Sequence, residues 1–144
     1  METIPYTGDL SGFSGTCILQ DRDGFMWFGS RGGLYRYDGS NIKIFRHDPE
    51  NEKSISNDWI KCLSEDEDGI IWIGTYMGFN KFDKHRETFI QFYPEPGNPN
   101  SLVHENIQFL YQDDDFIWIG THMGFSRFIE IFGKYPRKFR YFAA

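Results

Sequence analysis

A chain of 144 residues with a formal net charge of −6 is long enough for a real core, and its acidity argues against non-specific nucleic-acid binding. Aromatics are 19% of it and glycine occurs fifteen times, while alanine occurs only as Ala143 and Ala144. That balance disfavours helices and favours short strands joined by many turns, with much apolar area to bury. No run approaches the roughly 18 apolar residues of a membrane-spanning helix.

The opening METIPYTGDL lacks the basic and apolar regions of a secretory signal, so the expectation is either a cytoplasmic chain or a mature or truncated start at Met1. Residues 1–12 read as an N-terminal arm. Residues 13–53 read as a first four-stranded unit, with strands at 16–21, FMWFG, GLYRYD and 41–47. Asp23-Gly24 is expected to supply left-handed conformations to a tight hairpin after the first strand. FMWFG is a continuous apolar run rather than an alternation, so both of its faces are expected to be buried.

A polar segment (48–58) leads into the second unit, 54–100. Its strands are expected at 60–66, IIWIG, GFNKFD and 88–94, with Asp68-Gly69 in the first hairpin. A second polar segment (94–106) leads into the third unit, 101–144, with 107–112, FIWIG, GFSRFI and a fourth strand at 138–142. This last unit is atypical. Asp113-Asp114-Asp115-Phe116 is one residue shorter than its counterpart and lacks the glycine.

Trp27, Trp72 and Trp118 head the same pattern in ILQDRDGFMWFGSRGGLYRYDG (18–39), LSEDEDGIIWIGTYMGFNKFDK (63–84) and FLYQDDDFIWIGTHMGFSRFIE (109–130). Four short strands per unit of about 45 residues match a β-propeller blade. The expected fold is all-β: three four-stranded propeller blades, an incomplete set because propellers close with about four to eight.

DRDGFMWFGSRGGLYRYDG, EDEDGIIWIGTYMGFNKFD and the connecting RHDPENEKSISND resemble the two-component regulator propeller repeat. The likeness spans roughly residues 10–130. It implies the periplasmic sensor region of membrane-spanning hybrid histidine kinases, whose propellers often respond to oligosaccharides. The residues present include no kinase segment and no membrane segment, so phosphotransfer is implied only for full-length relatives and the chain is read as no enzyme.

The acidic turns look like calcium loops, but an EF-hand needs Glu six residues beyond the turn glycine. Those positions hold Ser30 and Thr75, and strands flank the turns. His47, His85, His104 and His122 lack metal spacing, and nothing nominates a cofactor. Cys17 and Cys62 occupy equivalent positions, expected to lie too far apart for a disulfide. Lys134, Arg137, Lys138 and Arg140 read as a solvated edge strand or as a patch for an acidic partner.

The turn after each tryptophan strand keeps its framework but varies at Arg31, Tyr76 and His122. Propeller topology sets these beside the inter-blade loop residues Asn57, Asp58, Trp59, His104, Glu105 and Asn106. Aromatic, amide and charged groups at a channel mouth suit a polar ligand such as a sugar. The leading expectation is a non-catalytic ligand-sensing module. The alternatives are a blade set that self-associates or joins further blades to close a ring, and a propeller lyase or hydrolase.

Overall fold

Each tryptophan segment is the second strand of its own antiparallel sheet. The computed structural model describes residues 14–114, 116–129 and 138–143; the N-terminal arm, Lys134 and Arg137 lie outside the described residues. Blade 1 comprises β1 (Gly15–Gln20), β2 (Met26–Ser30), β3 (Gly33–Tyr37) and β4 (Ile42–Phe45). Blade 2 comprises β5 (Ile60–Glu65), β6 (Ile71–Thr75), β7 (Gly78–Asp83) and β8 (Thr88–Phe92). Blade 3 comprises β9 (Ile107–Gln112), β10 (Ile117–Thr121), β11 (Gly124–Ile129) and β12 (Lys138–Ala143). Strand order follows chain order in all three sheets, so Lys138 and Arg140 lie on an edge strand. The register repeats as well: Trp27, Trp72 and Trp118 stand opposite Arg36, Lys81 and Arg127.

The acidic turns of blades 1 and 2 are three-residue hairpins in which Asp23 and Asp68 do not take the left-handed conformation expected of them. Only Gly24 (φ 92°) and Gly69 (φ 80°) take the left-handed conformation. Asp21 N–H donates to Phe25 O and Gly24 N–H to Asp21 O, a type I turn closed by a left-handed glycine. The Asp21 carboxylate does the rest. Oδ1 accepts the Asp23 and Phe25 amides, and Oδ2 accepts the Trp27 indole N–H at 2.9 Å. Asp66 does the same for Trp72, and Asp113 takes the Trp118 indole at 2.8 Å across its shorter turn. A buried indole N–H left unpaired would cost about 1–3 kcal/mol, so this carboxylate is a structural requirement of the repeat.

Two cores lie between blades. The first joins Trp27, Leu34 and Phe45 to Ile55, Ile60, Ile71, Ile73, Phe82 and Phe89. The second joins Trp72 and Phe79 to Leu102, Ile107, Ile117, Ile119 and Phe128. Trp27 meets Phe82 edge-on at 5.1 Å and Trp72 meets Phe128 at 5.2 Å, the same contact one blade later. The glycine two residues after Trp27 and after Trp72 makes room for an isoleucine of the next blade. A Cβ on Gly29 would lie 2.4 Å from Cys17 Sγ and 2.8 Å from Ile60 Cγ2. On Gly74 it would lie 2.4 Å from both Cys62 Sγ and Ile107 Cγ2. The first strand of the following blade therefore plugs a notch that only glycine leaves open. Both cysteines are free thiols.

The tryptophan strand is buried on both faces only in blade 2, where all five β6 residues are buried. Met26 and Phe28 on β2, and Trp118 on β10, are half-buried. The expectation of two buried faces holds where a blade has two neighbours. The inter-blade loops are less purely superficial than their polarity implies, because Ile55 and Leu102 anchor them in the two cores. Ion pairs also bridge blades 1 and 2: Arg36–Glu87 at 3.2 Å, Lys43–Glu87 and Lys84–Asp23 at 3.0 Å. Being at the surface they add little beside the aromatic core.

Candidate ligand-binding rim

The turn between the second and third strands is held by the residue that follows the motif glycine. Ser30, Thr75 and Thr121 each donate a hydroxyl to the carbonyl of Gly33, Gly78 or Gly124, at 2.7–2.9 Å. The same hydroxyls accept the amides of Gly32, Met77 and Met123. Gly33, Gly78 and Gly124 have φ of 143°, 120° and 137°, which accounts for their presence in every unit. This fixed frame leaves Arg31, Tyr76 and His122 exposed at one turn of each blade.

The inter-blade loops dock against that turn through the backbone. Tyr76 N–H donates to Trp59 O at 2.9 Å, and His122 N–H to Asn106 O at 3.1 Å. Trp59 and Asn106 are thereby equivalent, as are Asn57 and His104, which accept the amides of those two residues. Asp58 and Glu105 face other tasks. Asp58 accepts the His47 amide at 2.7 Å, and the Glu105 carbonyl accepts the Gly78 amide.

The side chains form two groups. In the first, Trp59 stacks on Tyr76 with ring centroids 4.9 Å apart and 13° between planes. Arg31 lies 4.7 Å from the Trp59 centroid and Lys61 Nζ 4.4 Å from it. The sequence signal for Trp59 and Tyr76 was their aromaticity at variable positions. Lys61, on β5, was missed because it sits within a strand whose neighbours read as core. In the second group, the His104 and His122 rings are 6.1 Å apart. His104 Nδ1 accepts the Asn106 amide, which places its proton on Nε2. Asn106 Oδ1 is buried without a hydrogen-bond partner among the described residues.

Chemically, the first group is an aromatic pair under two cations. Tyr76 is 43% exposed and offers ring surface for stacking, and Arg31 and Lys61 offer donors and positive charge to hydroxyl or carboxylate oxygens. The histidine pair is not joined by a carboxylate: no group of three or more His, Cys, Asp or Glu that could hold a metal ion occurs among the described residues. A concavity of about 410 Å³ is lined by residues of the loop that leads into blade 3, among them Pro94, Pro96, Pro99, Leu102 and Val103.

The model of the two-component regulator propeller matches residues 10–32 and 54–77. A 39-residue segment is 49% identical to Histidine kinase P4 of Formosa agariphila, covering 27% of this chain and 3% of that protein. The extracellular domain of a hybrid two component system of B. thetaiotaomicron superposes with a TM-score of 0.78 at 23% identity, over 90% of this chain and 18% of that domain. A catalytically inactive virginiamycin B lyase from Staphylococcus aureus, crystallised with quinupristin, superposes with a TM-score of 0.62 at 16% identity, over 97% of this chain and 43% of the lyase. At these identities the structural likenesses show the fold, propeller blades. The chain spans only a small part of the kinase and under a fifth of the extracellular domain.

Proposed function

We propose that this chain, built of two-component regulator propeller repeats, is the ligand-sensing part of a signalling protein that works outside the cytoplasm. Its ligand is an oligosaccharide bound at the rim. The observation that carries this reading is the Arg31–Trp59–Tyr76 group with Lys61 beside it, assembled from two blades on a frame that otherwise repeats. Stacking surface next to cationic donors suits a sugar, and the two cations favour one bearing a carboxylate. The extracellular placement of the structural relative supports the compartment. The repeat type supports a signalling role in which these blades recognise the ligand.

The test is a thermal-shift screen of the full chain against neutral and acidic oligosaccharides. A concentration-dependent rise in Tm with an acidic oligosaccharide, reduced in Tyr76→Ala, is expected. Well-folded protein that answers no oligosaccharide in the panel would overturn the reading.

A further inference from the structure

The rim over the gap between blades 1 and 2 and the rim over the gap between blades 2 and 3 share one frame and differ in charge. The first gap sets Arg31 and Lys61 around Trp59. Arg46, one residue past β4, adds a third cation: its Nε donates to Gly32 O at 3.0 Å, in the turn that carries Arg31. Lys61 stands on the first strand of blade 2, Arg31 between the second and third strands of blade 1, and Arg46 past the fourth. The three cations therefore cross the width of a four-stranded sheet, about 14 Å at the usual strand spacing.

The second gap repeats each position with a neutral side chain. Tyr76 stands for Arg31, as Asn106 stands for Trp59. Ile107 pairs with Thr121 as Ile60 pairs with Thr75, so Gln108 stands for Lys61. Phe92 pairs with Phe79 as Phe45 pairs with Leu34, so Tyr93 stands for Arg46. The packing is kept as well. Arg46 Cγ lies 3.3 Å from where a Gly33 Cβ would stand, and Tyr93 Cε1 lies 3.0 Å from the same place at Gly78. Docking of one blade on the next does not require the charge.

Nor does a carboxylate among the described residues neutralise it. Arg36, Lys43, Lys84 and Arg86 each pair with an acidic side chain, whereas Arg31, Arg46 and Lys61 pair with none. Asp58, next to Trp59, accepts the His47 amide. The chain carries 21 acidic and 15 basic residues. Against that excess, a line of cations without counter-charge is a preorganised site for anions.

We propose, on the reading of the rim as an oligosaccharide site, that the gap between blades 1 and 2 takes a run of at least two anionic sugar units bearing carboxylates or sulfates. One anionic group lies against Arg31 and Lys61, the other against Arg46. A single charged unit would leave Arg46 unused, because the line of cations is longer than one sugar ring.

The experiment is isothermal titration calorimetry of the full chain with an oligouronate, a sulfated oligosaccharide and a neutral oligosaccharide of equal length, at about 50 and about 200 mM salt. At least one acidic ligand is expected to bind, more weakly at the higher salt, and about tenfold or more tighter than the neutral one. The tighter acidic ligand identifies the anionic group. Arg46→Tyr should weaken it about fivefold, the upper range for an exposed ion pair. The triple variant Arg31→Tyr/Arg46→Tyr/Lys61→Gln gives this gap the side chains of the next. It should stay folded by circular dichroism and lose both the preference and the salt dependence. Equal affinity for neutral and acidic ligands, full affinity in Arg46→Tyr, or a folded triple variant that keeps the preference would overturn the proposal and leave an oligosaccharide rim standing. Inorganic polyphosphate bound as tightly as the acidic ligands would overturn the assignment to a saccharide. Well-folded wild type that binds none of the three oligosaccharides would overturn the rim reading itself.

Discussion

Replacing Gly74 by alanine puts a methyl carbon where Cys62 Sγ and Ile107 Cγ2 already stand, each 2.4 Å from its position. Neither obstacle is the free end of a long side chain: Cys62 lies on β5 and Ile107 begins β9, so relief means moving one blade against another. Overpacking of this kind costs about 1–3 kcal/mol. A central value of about 2 kcal/mol lowers Tm by about 7 °C for a chain of this size. Gly120→Ala is the control within the same motif. Its Cβ would meet only Phe109, at an ordinary 3.4 Å, and its φ lies outside the left-handed range. That substitution is expected to be neutral or to stabilise by up to about 0.5 kcal/mol through the unfolded chain. Urea unfolding of the two variants and the wild type, monitored by tryptophan fluorescence, makes the comparison. Equal tolerance of both substitutions would refute the interleaving of blades 2 and 3.

The carboxylate under each tryptophan gives a second prediction: Asp66→Ala should cost about 1–3 kcal/mol in urea unfolding, and Asp113→Ala less, since Trp118 is only half-buried. Glu87 supplies a pH dependence. Hydrogen bonds from Lys43, then Arg36, hold its carboxyl below the usual 4.5. A depressed folded-state value contributes stability that is present above pH 4.5 and lost as pH falls through the folded value. The stability gap between wild type and Glu87→Gln should therefore close on acidification below about pH 4.5 in a urea series; a gap that widens there contradicts it. Burial pushes the Cys62 thiol up to about 12, with a smaller contribution from Cys17. In the native protein its alkylation at pH 8 should run on the order of a thousandfold slower than in the denatured chain, read by mass spectrometry.

The blade architecture was legible because three tryptophans, three G-[S/T]-x-x-G frames and three apolar runs fall at one period. A repeat that must pack on its own copies leaves a periodic trace. The division of each acidic turn's labour was not read, although its signal was present: Asp21, Asp66 and Asp113 keep a nearly fixed distance from their tryptophans. Attention to Asp-Gly as a turn pair concealed the aspartate that precedes it. The half-exposed Trp118 could not follow from its own segment, because burial depends on the number of neighbouring blades. At the rim, the varying residues Arg31, Tyr76 and His122 were found by their departure from the frame. The stacking of Trp59 on Tyr76 and the approach of Lys61 needed the three-dimensional docking of the loop.

The division between a tryptophan scaffold and a recognising rim is tested most directly by oligosaccharide-induced thermal shift in two variants side by side. Arg31→Ala should keep the unliganded Tm of the wild type and lose the shift. Trp72→Phe should lower the unliganded Tm and, once the ligand is added below that temperature, retain the shift. A full response in Arg31→Ala, or a response abolished only in Trp72→Phe, would contradict the account.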